Sequence, residues 1–217
     1  MTPIGLEMGS VSVTDAYERG FNRLKQFFVP LMLIAIASTA VSLVAAVLAR
    51  ALPGIIGFAV QIVIIAPISF GSVLASLKAA RGEEPSLSDL LVPYERCFVQ
   101  SVVAWFLLSI ALTVGFVLFV VPGLFLLIRL SFVPYLVVDE NLDAITAFRE
   151  SWRRTAPFAW QIFGAMMLAL PISVVGLLAL VVGLLPAGMW ISLALATLFL
   201  EISEKVGTED PLRSTPP

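Results

Sequence analysis

Long apolar runs alternate with short polar segments along this chain. About 20 consecutive apolar residues cross the hydrocarbon core of a bilayer as a helix, so each long run predicts one membrane span. Short turns that contain Pro and Gly join the spans in pairs, which gives three hairpins. The predicted spans cover about 27–49, 55–77, 98–121, 123–138, 158–184 and 189–203. The predicted fold is therefore an all-α polytopic membrane protein with six transmembrane helices.

A polar segment precedes each predicted hairpin, and the three segments resemble one another. Residues 12–19 read Ser-Val-Thr-Asp-Ala-Tyr-Glu-Arg, and residues 86–96 repeat the Ser-x-x-Asp start and the Tyr-Glu-Arg end. A Ser followed three residues later by an acidic residue is a capping-box pattern, in which both side chains satisfy free amides at the start of a helix. We therefore predict amphipathic helices over about 12–25, 86–97 and 141–155.

The third segment shows most clearly what such a helix could contact. At helical spacing Phe148 and Trp152 fall on one apolar stripe, and Arg153 and Arg154 fall on the opposite face. Aromatic and Arg side chains together suit a helix that lies flat in the headgroup region. Two interpretations stay open: a helix that recognises lipid or a protein partner, or a linker that folds back on the bundle.

The positions of Lys and Arg predict the orientation. Eleven of the 13 Lys and Arg residues fall on one side of the predicted topology, which is the side of both termini. Positive charge is retained on the cytoplasmic side, so both termini should be cytoplasmic. Residues 1–26 contain no signal-peptide apolar region, and we expect the first span to remain as an anchor. Residues 1–206 would form one membrane domain, followed by a disordered tail over 207–217.

Composition narrows the functional classes. The chain of 217 residues is 59% hydrophobic and 13% charged, has no His and has one Cys. Soluble domains carry about 25% charged residues, so a soluble enzyme is excluded. Without His and with a single Cys, the usual metal cages, Ser-His-Asp triads and disulfide frameworks are excluded too. We expect no cofactor, no enzymatic activity and, at a net charge of -2, no nucleic-acid partner.

A resemblance to a known group rests on the second half of the chain. Residues 121–124 read Val-Pro-Gly-Leu, residues 137–140 read Val-Val-Asp-Glu, and residues 147–153 read Ala-Phe-Arg-Glu-Ser-Trp-Arg, with Arg129 between the first two. This pattern resembles the YciC-like bacterial inner-membrane proteins and the related membrane domain fused to some glycerophosphodiester phosphodiesterases. The resemblance implies a six-helix inner-membrane protein of unestablished activity. No phosphodiesterase domain is attached here to carry an enzymatic role.

Three polar residues within the predicted spans are candidate lipid, anion or polar-pathway contacts. Arg129 lies inside the fourth span, where it either extends to the outer headgroups or contacts a lipid phosphate, an anion or Glu201. Glu201 lies near the cytoplasmic end of the last span, where a solvated helix end is the simpler interpretation. Gln61 is the deepest amide and the best candidate for a polar pathway.

Small residues recur every four positions at Gly71, Ala75 and Ala79. This spacing predicts a face on which another helix approaches closely. An internal interface is favoured, and a face for a second copy of the chain is the alternative.

Two functions follow from these patterns. The first is a non-enzymatic scaffold that binds membrane lipids, another membrane protein or a second copy of itself. The second is a transporter or lipid-handling protein with its site between hairpins near Arg129. A solvent-connected cavity lined by Arg129 and Gln61 would favour the second function.

Overall fold

The computed structural model of the protein describes residues 13–178 and 184–209. These residues form ten α-helices and one 3₁₀ turn, which spans Leu87–Leu90. The helices are α1 (Val13–Gln26), α2 (Phe28–Ala51), α3 (Gly54–Arg81), α4 (Val92–Arg96), α5 (Phe98–Leu118), α6 (Val120–Leu130), α7 (Val133–Asp139), α8 (Ala144–Thr155), α9 (Ala159–Leu178) and α10 (Leu184–Glu209).

Several of these helices are long and apolar enough to cross a bilayer. Five segments qualify within the described ranges: α2, α3, α5, the pair α6 and α7, and Leu185–Val206 of α10. A sixth arises if α8 and Ala159–Val174, which are bent by 95° relative to each other, count as one span. The predicted all-α polytopic fold is therefore confirmed.

The second polar segment differs from the amphipathic helix predicted over about 86–97. The predicted capping box forms, with the Ser86 backbone N–H donating to Asp89 Oδ2 at 2.9 Å. It starts only the 3₁₀ turn, however, and α4 follows as a helix of 5 residues. Pro93 lies at the start of α4, where its missing N–H is tolerated, but it could not continue a helix from the preceding turn.

The fourth predicted span is interrupted as well. It breaks between Leu130 and Val133, and Pro134 sits in the first turn of α7, a position that suits its fixed φ. Asn141 then adopts a left-handed conformation with φ of 52°, and the chain turns from α7 into α8. The last helix continues through Glu209, three residues into the predicted tail, and residues 210–217 lie outside the described residues.

Helix α10 supplies much of the core. Leu193, Leu198, Phe199 and Ile202 on α10 are at most 1% exposed. Its neighbours include α1, α3 and α9, and Phe199 packs edge-on against Phe132 at 5.2 Å between ring centroids. The N-terminal helix α1 is thus held against the middle of the bundle rather than lying apart from it.

The row of small residues on α3 faces another part of the same chain. Ala75 and Ala79 are fully buried, and a Cβ built on Gly71 would lie 2.6 Å from Leu90 Cα. The 3₁₀ turn therefore packs backbone to backbone on α3. This contact matches the internal interface that the spacing predicts.

Candidate functional site

The segments that carry the family resemblance meet where α8 folds back against α6. Ser151 Oγ donates to the Arg129 carbonyl oxygen at 2.7 Å. Thr155 Oγ1 lies 3.2 Å from the same oxygen and donates mainly to the Ser151 carbonyl oxygen, at 2.7 Å. Both hydroxyls are on the buried face of α8. These bonds fix the C-terminal half of α8 beside Arg129.

Arg129 occupies a site built from two aromatic rings. Its guanidinium carbon lies 4.8 Å from the Trp152 ring centroid and 5.3 Å from that of Phe125, within the range of cation–π attraction. Nη1 donates to the Trp152 carbonyl oxygen at 3.2 Å, and Nε is buried without a hydrogen-bond partner. Among the described residues, Arg129 forms no ion pair with a carboxylate. The protein therefore leaves most of the donor capacity of this cation unused.

Arg154, two residues beyond Trp152, has the opposite environment. It is 5% exposed, and its Nη2 donates to Glu140 Oε2 at 2.9 Å while Nε donates to Glu150 Oε1 at 2.6 Å. Nη1 also reaches Ser203 Oγ on α10 at 3.3 Å. Burial alone would lower the pKa of Arg154, but the hydrogen bonds to the two carboxylates outweigh burial and raise that pKa. Arg154 thus joins α8 to the end of α7 and to α10.

Arg153 lies on the outside of the same helix. Its side chain is 64% exposed, and its Nη2 donates to Glu150 Oε1 at 2.8 Å. Burial tends to raise the pKa of Glu150, but the hydrogen bonds from Arg153 and Arg154 lower it further than burial raises it. The carboxylate therefore stays ionised and holds both guanidinium groups.

The exposed face of α8 mixes apolar and basic side chains. Ile145 is 65% exposed and Trp152 is 41% exposed, beside the exposed Arg149 and Arg153. Phe148 is half-buried and packs against the main core. This mixture is typical of helices at a membrane interface.

The N-terminus of α8 is fixed by two polar caps. The Asp143 carboxylate accepts from the Thr146 backbone N–H at 3.0 Å. Hydrogen bonds from the Thr146 side chain and backbone lower the pKa of Asp143. Gln100 Oε1 on α5 accepts from the Ala144 N–H at 3.1 Å. Nothing in the sequence indicated the Gln100 contact, since the two residues are 44 positions apart.

The other two predicted polar residues lie in different surroundings. Glu201 Oε1 is 2.6 Å from Arg19 Nη2 of α1, so its ion-pair partner is on the N-terminal helix and not Arg129. Gln61 is half-buried on α3, and its side chain has no hydrogen-bond partner among the described residues. The structure therefore gives Arg129, Glu201 and Gln61 separate neighbours.

Ion pairs between segments form a set that the sequence analysis missed. Lys78 Nζ lies 2.5 Å from Asp89 Oδ1, and Arg81 Nη2 lies 2.7 Å from Asp139 Oδ1. With Arg19–Glu201 and Arg154–Glu140, they join α1, the 3₁₀ turn, α7 and α8 to their neighbours. All these charges fall in segments predicted to be cytoplasmic or near the cytoplasmic ends of spans. The clustering of these charges on one predicted side of the membrane was the sequence feature that could have indicated the ion pairs.

Three cavities between helices have volumes of about 440, 360 and 320 Å³. Tyr17 and Trp190 contribute to the first, Arg96 and Asp139 to the second, and Tyr135 and six Ser to the third. None of these three is lined by Arg129, Gln61 or Glu201. The cavity that the transporter hypothesis requires near Arg129 is not one of them.

Comparison of the chain with protein-family models, curated proteins and solved structures finds no match. The resemblance to the YciC-like group therefore stays a prediction from residues 121–153. Architecture alone classifies the protein: it is an α-helical, multi-pass integral membrane protein.

Proposed function

We propose that this protein is a non-enzymatic, lipid-binding scaffold of the bacterial inner membrane, and that Arg129 on α6, beside α8, binds the phosphate of an anionic lipid. The observation that carries this proposal is the environment of Arg129, a cation in an apolar segment with no carboxylate partner among the described residues. An unpaired charge inside a span costs about 2.5–3.5 kcal/mol on insertion scales. A lipid phosphate would supply the missing counter-charge.

The surroundings of Arg129 fit a headgroup contact. Phe125 and Trp152 are 47% and 41% exposed, so the rings that flank the guanidinium are open to the surroundings. Aromatic rings of this kind are enriched at the boundary between headgroups and hydrocarbon. Arg is also the side chain that binds phosphate in a bidentate manner.

The proposed orientation places both termini and α8 on the cytoplasmic side. The excess of Lys and Arg in these segments supports it, and so does the position of the ion pairs, which join the same segments. Further partners would be another membrane protein or a second copy of the chain, bound on the same side.

The test compares two arginines on or beside α8. Arg129→Gln removes the proposed phosphate contact, and Arg149→Gln removes an exposed charge on the neighbouring helix α8. Each variant is purified in detergent and reconstituted into nanodiscs that contain phosphatidylglycerol and phosphatidylcholine. Native mass spectrometry of the protein released from the nanodiscs then measures the ratio of the two lipids that stay bound to it. We expect Arg129→Gln to lower this ratio at least roughly tenfold, since a charge-assisted hydrogen bond contributes about 1.5–3 kcal/mol.

The control variant should change the ratio less than about twofold, as expected for a screened surface charge. Equal losses in the two variants would show nonspecific attraction between α8 and an anionic surface. An unchanged ratio in Arg129→Gln would show that Arg129 only extends to the interface, and the lipid-site proposal would then be abandoned.

A further inference from the structure

The third cavity, of about 320 Å³, is lined mainly by hydroxyl groups. Six Ser side chains from α2, α3 and α10 and Tyr135 from α7 surround it, and the other lining residues are Ile or Val. None of its lining residues is charged. The cavity lies between helices that are long and apolar enough to cross a membrane. A polar lining in such a position requires a physical explanation, because unpaired polar groups are costly in hydrocarbon.

Five of the serines present oxygen lone pairs to the cavity. The hydroxyls of Ser38, Ser42, Ser69, Ser72 and Ser76 each donate to a backbone carbonyl three or four residues earlier, at 2.7–3.1 Å. Each hydroxyl has one donor and two acceptor sites, so these bonds consume the donors and leave the acceptors. This part of the lining accepts hydrogen bonds but has no hydrogen left to donate.

Tyr135 provides the complementary donor. Its side chain is 6% exposed and its ring stacks on Phe199 at 5.0 Å between centroids, so its position is fixed. Tyr135 lines the cavity, and among the described residues its hydroxyl has no hydrogen-bond partner. Ser192 of α10 adds a second hydroxyl without a partner among the described residues.

A buried Tyr hydroxyl usually has a hydrogen-bond partner. Here no described side chain supplies that partner, so it comes from water or from a bound molecule. An anion would use the two donors but would meet five acceptor oxygens, and a cation would lie in an apolar segment without a carboxylate. An alcohol both donates and accepts, so it matches both halves of the lining. The half-open cavity borders α2, which exposes large apolar side chains such as Leu33 and Val41.

We propose that this cavity binds the hydroxyl headgroup of an uncharged lipid of the diacylglycerol class. The lipid hydroxyl accepts from Tyr135 and donates to a serine oxygen, and the acyl chains follow the apolar surface of α2. This site is separate from the Arg129 site and binds a lipid without a phosphate.

The experiment measures equilibrium binding of radiolabelled dioctanoylglycerol to the protein in phosphatidylcholine nanodiscs. We expect saturable binding to the wild type, and binding of the methyl ether of the same lipid to be at least roughly fivefold weaker, the value of one lost hydrogen bond of about 1 kcal/mol. Free glycerol is the competing probe. Competition by glycerol at the concentration of the lipid would overturn the assignment to a lipid.

Tyr135→Phe separates a ligand site from a structural role. The variant keeps the ring and removes only a hydroxyl that has no partner among the described residues, so we expect dioctanoylglycerol to bind roughly fivefold more weakly with no fall in melting temperature. Tyr94→Phe is the matched control. Its hydroxyl donates to the Ile64 carbonyl oxygen at 3.0 Å and does not line the cavity. That control should bind the lipid normally.

Serine variants test the acceptor side. Ser72→Ala removes a cavity oxygen, whereas Ser109→Ala removes a comparable hydroxyl on α5 that bonds to the Trp105 carbonyl oxygen at 2.8 Å. We expect weaker binding, by about twofold to fivefold, only in Ser72→Ala. Nonsaturable binding to the wild type, or equal affinity of Tyr135→Phe and the wild type, would overturn the proposal and leave a cavity that holds water. Arg129→Gln should leave this binding unchanged, which keeps the two sites distinguishable.

Discussion

Two regions of the molecule are stabilised in different ways. In the first, the ion-paired region, Arg19–Glu201, Lys78–Asp89, Arg81–Asp139 and Arg154–Glu140 join different helices. In the second, the hairpin ends (residues 41–58 and 114–121), large apolar side chains face outward. Ile55, Val117 and Phe119 there are 88%, 79% and 77% exposed.

The difference follows from the solvent of each region. Polar groups can be satisfied by water or headgroups outside the hydrocarbon core, so ion pairs form there at a tolerable desolvation cost. Within hydrocarbon there is no hydrophobic gain from covering an apolar side chain, and helices associate through close packing of small residues. The α2–α3 hairpin shows such packing, because a Cβ on Gly57 would overlap the Ala49 carbonyl. The hairpin ends therefore need only their own close contacts, whereas the buried apolar core around α10 and the ion pairs join the hairpins to one another.

The largest expected effect comes from removing the central cation of the ion-paired region. Arg154→Ala removes the buried guanidinium that binds both Glu140 and Glu150, and we expect the free energy of unfolding in detergent to fall by about 3–5 kcal/mol. The neighbouring Arg153→Ala removes a side chain that is 64% exposed, so its effect should stay below about 1 kcal/mol. Similar effects of the two variants would contradict the structural role of Arg154.

The attachment of α1 should depend on pH. Tyr17 Oη donates to the Ala165 carbonyl oxygen at 2.8 Å, and burial raises the pKa of Tyr17 from 10.0 to about 12. The neutral form is the protonated one, so the folded state keeps a proton that the unfolded state loses above pH 10. Stability is therefore full below pH 10 and falls as pH rises from 10 towards 12, by roughly 2–3 kcal/mol in total.

Chemical unfolding of the wild type and Tyr17→Phe between pH 9 and pH 11 isolates this contribution. Other groups that titrate in this range cancel in the difference between the two proteins. A constant difference across the range would show that Tyr17 ionises equally in the folded and unfolded states.

A smaller loss is expected at the contact between α3 and the 3₁₀ turn. In Gly71→Ala the new methyl group would lie 2.6 Å from Leu90 Cα and 2.7 Å from the Leu90 carbonyl oxygen, so the turn must move, at a cost of about 1–3 kcal/mol. Gly54→Ala is the control, since no atom lies within 4 Å of its new methyl group. Thermal unfolding in the same detergent should distinguish the two variants clearly.

The smallest effect is expected at the hairpin ends. Phe119→Ala should change the free energy of unfolding in detergent by less than about 0.5 kcal/mol, because the ring contacts solvent or lipid rather than protein. Phe132→Ala, in which a fully buried ring is lost, should cost about 3–5 kcal/mol. A large loss in Phe119→Ala would mean that the hairpin ends are covered by protein, as in an oligomer.

The fold is predictable from the sequence because an apolar run long enough to cross the hydrocarbon core must satisfy its backbone hydrogen bonds within a helix. Residues 28–51 and 54–81 follow the predicted boundaries within a few residues. The row from Gly71 to Ala79 was also recognisable as a packing face. Each of these features is determined by residues that lie close together in the sequence.

The contacts around Arg129 and α8 could not be predicted, because they join residues that are far apart in the sequence. Arg153 and Arg154 are adjacent in sequence, yet one is exposed and the other is buried, because only Arg154 points toward α7 and α10. The Tyr17 hydroxyl donates a hydrogen bond to a residue 148 positions away. The third cavity, of about 320 Å³, is lined by residues from four helices. Arg129 was identifiable as a charge in an apolar run, but its pairing with Trp152 required the fold.

The measurement that tests this account most directly is the side of the membrane on which each region lies. Single cysteines at Glu84, beside the ion-paired region, and at Gly54, at a hairpin end, are both in exposed positions. In a Cys97→Ala background, an impermeant maleimide would label them in spheroplasts or in inverted membrane vesicles. The account predicts that Glu84→Cys is labelled only in inverted vesicles and Gly54→Cys only in spheroplasts. Labelling of both residues from the same side would contradict it.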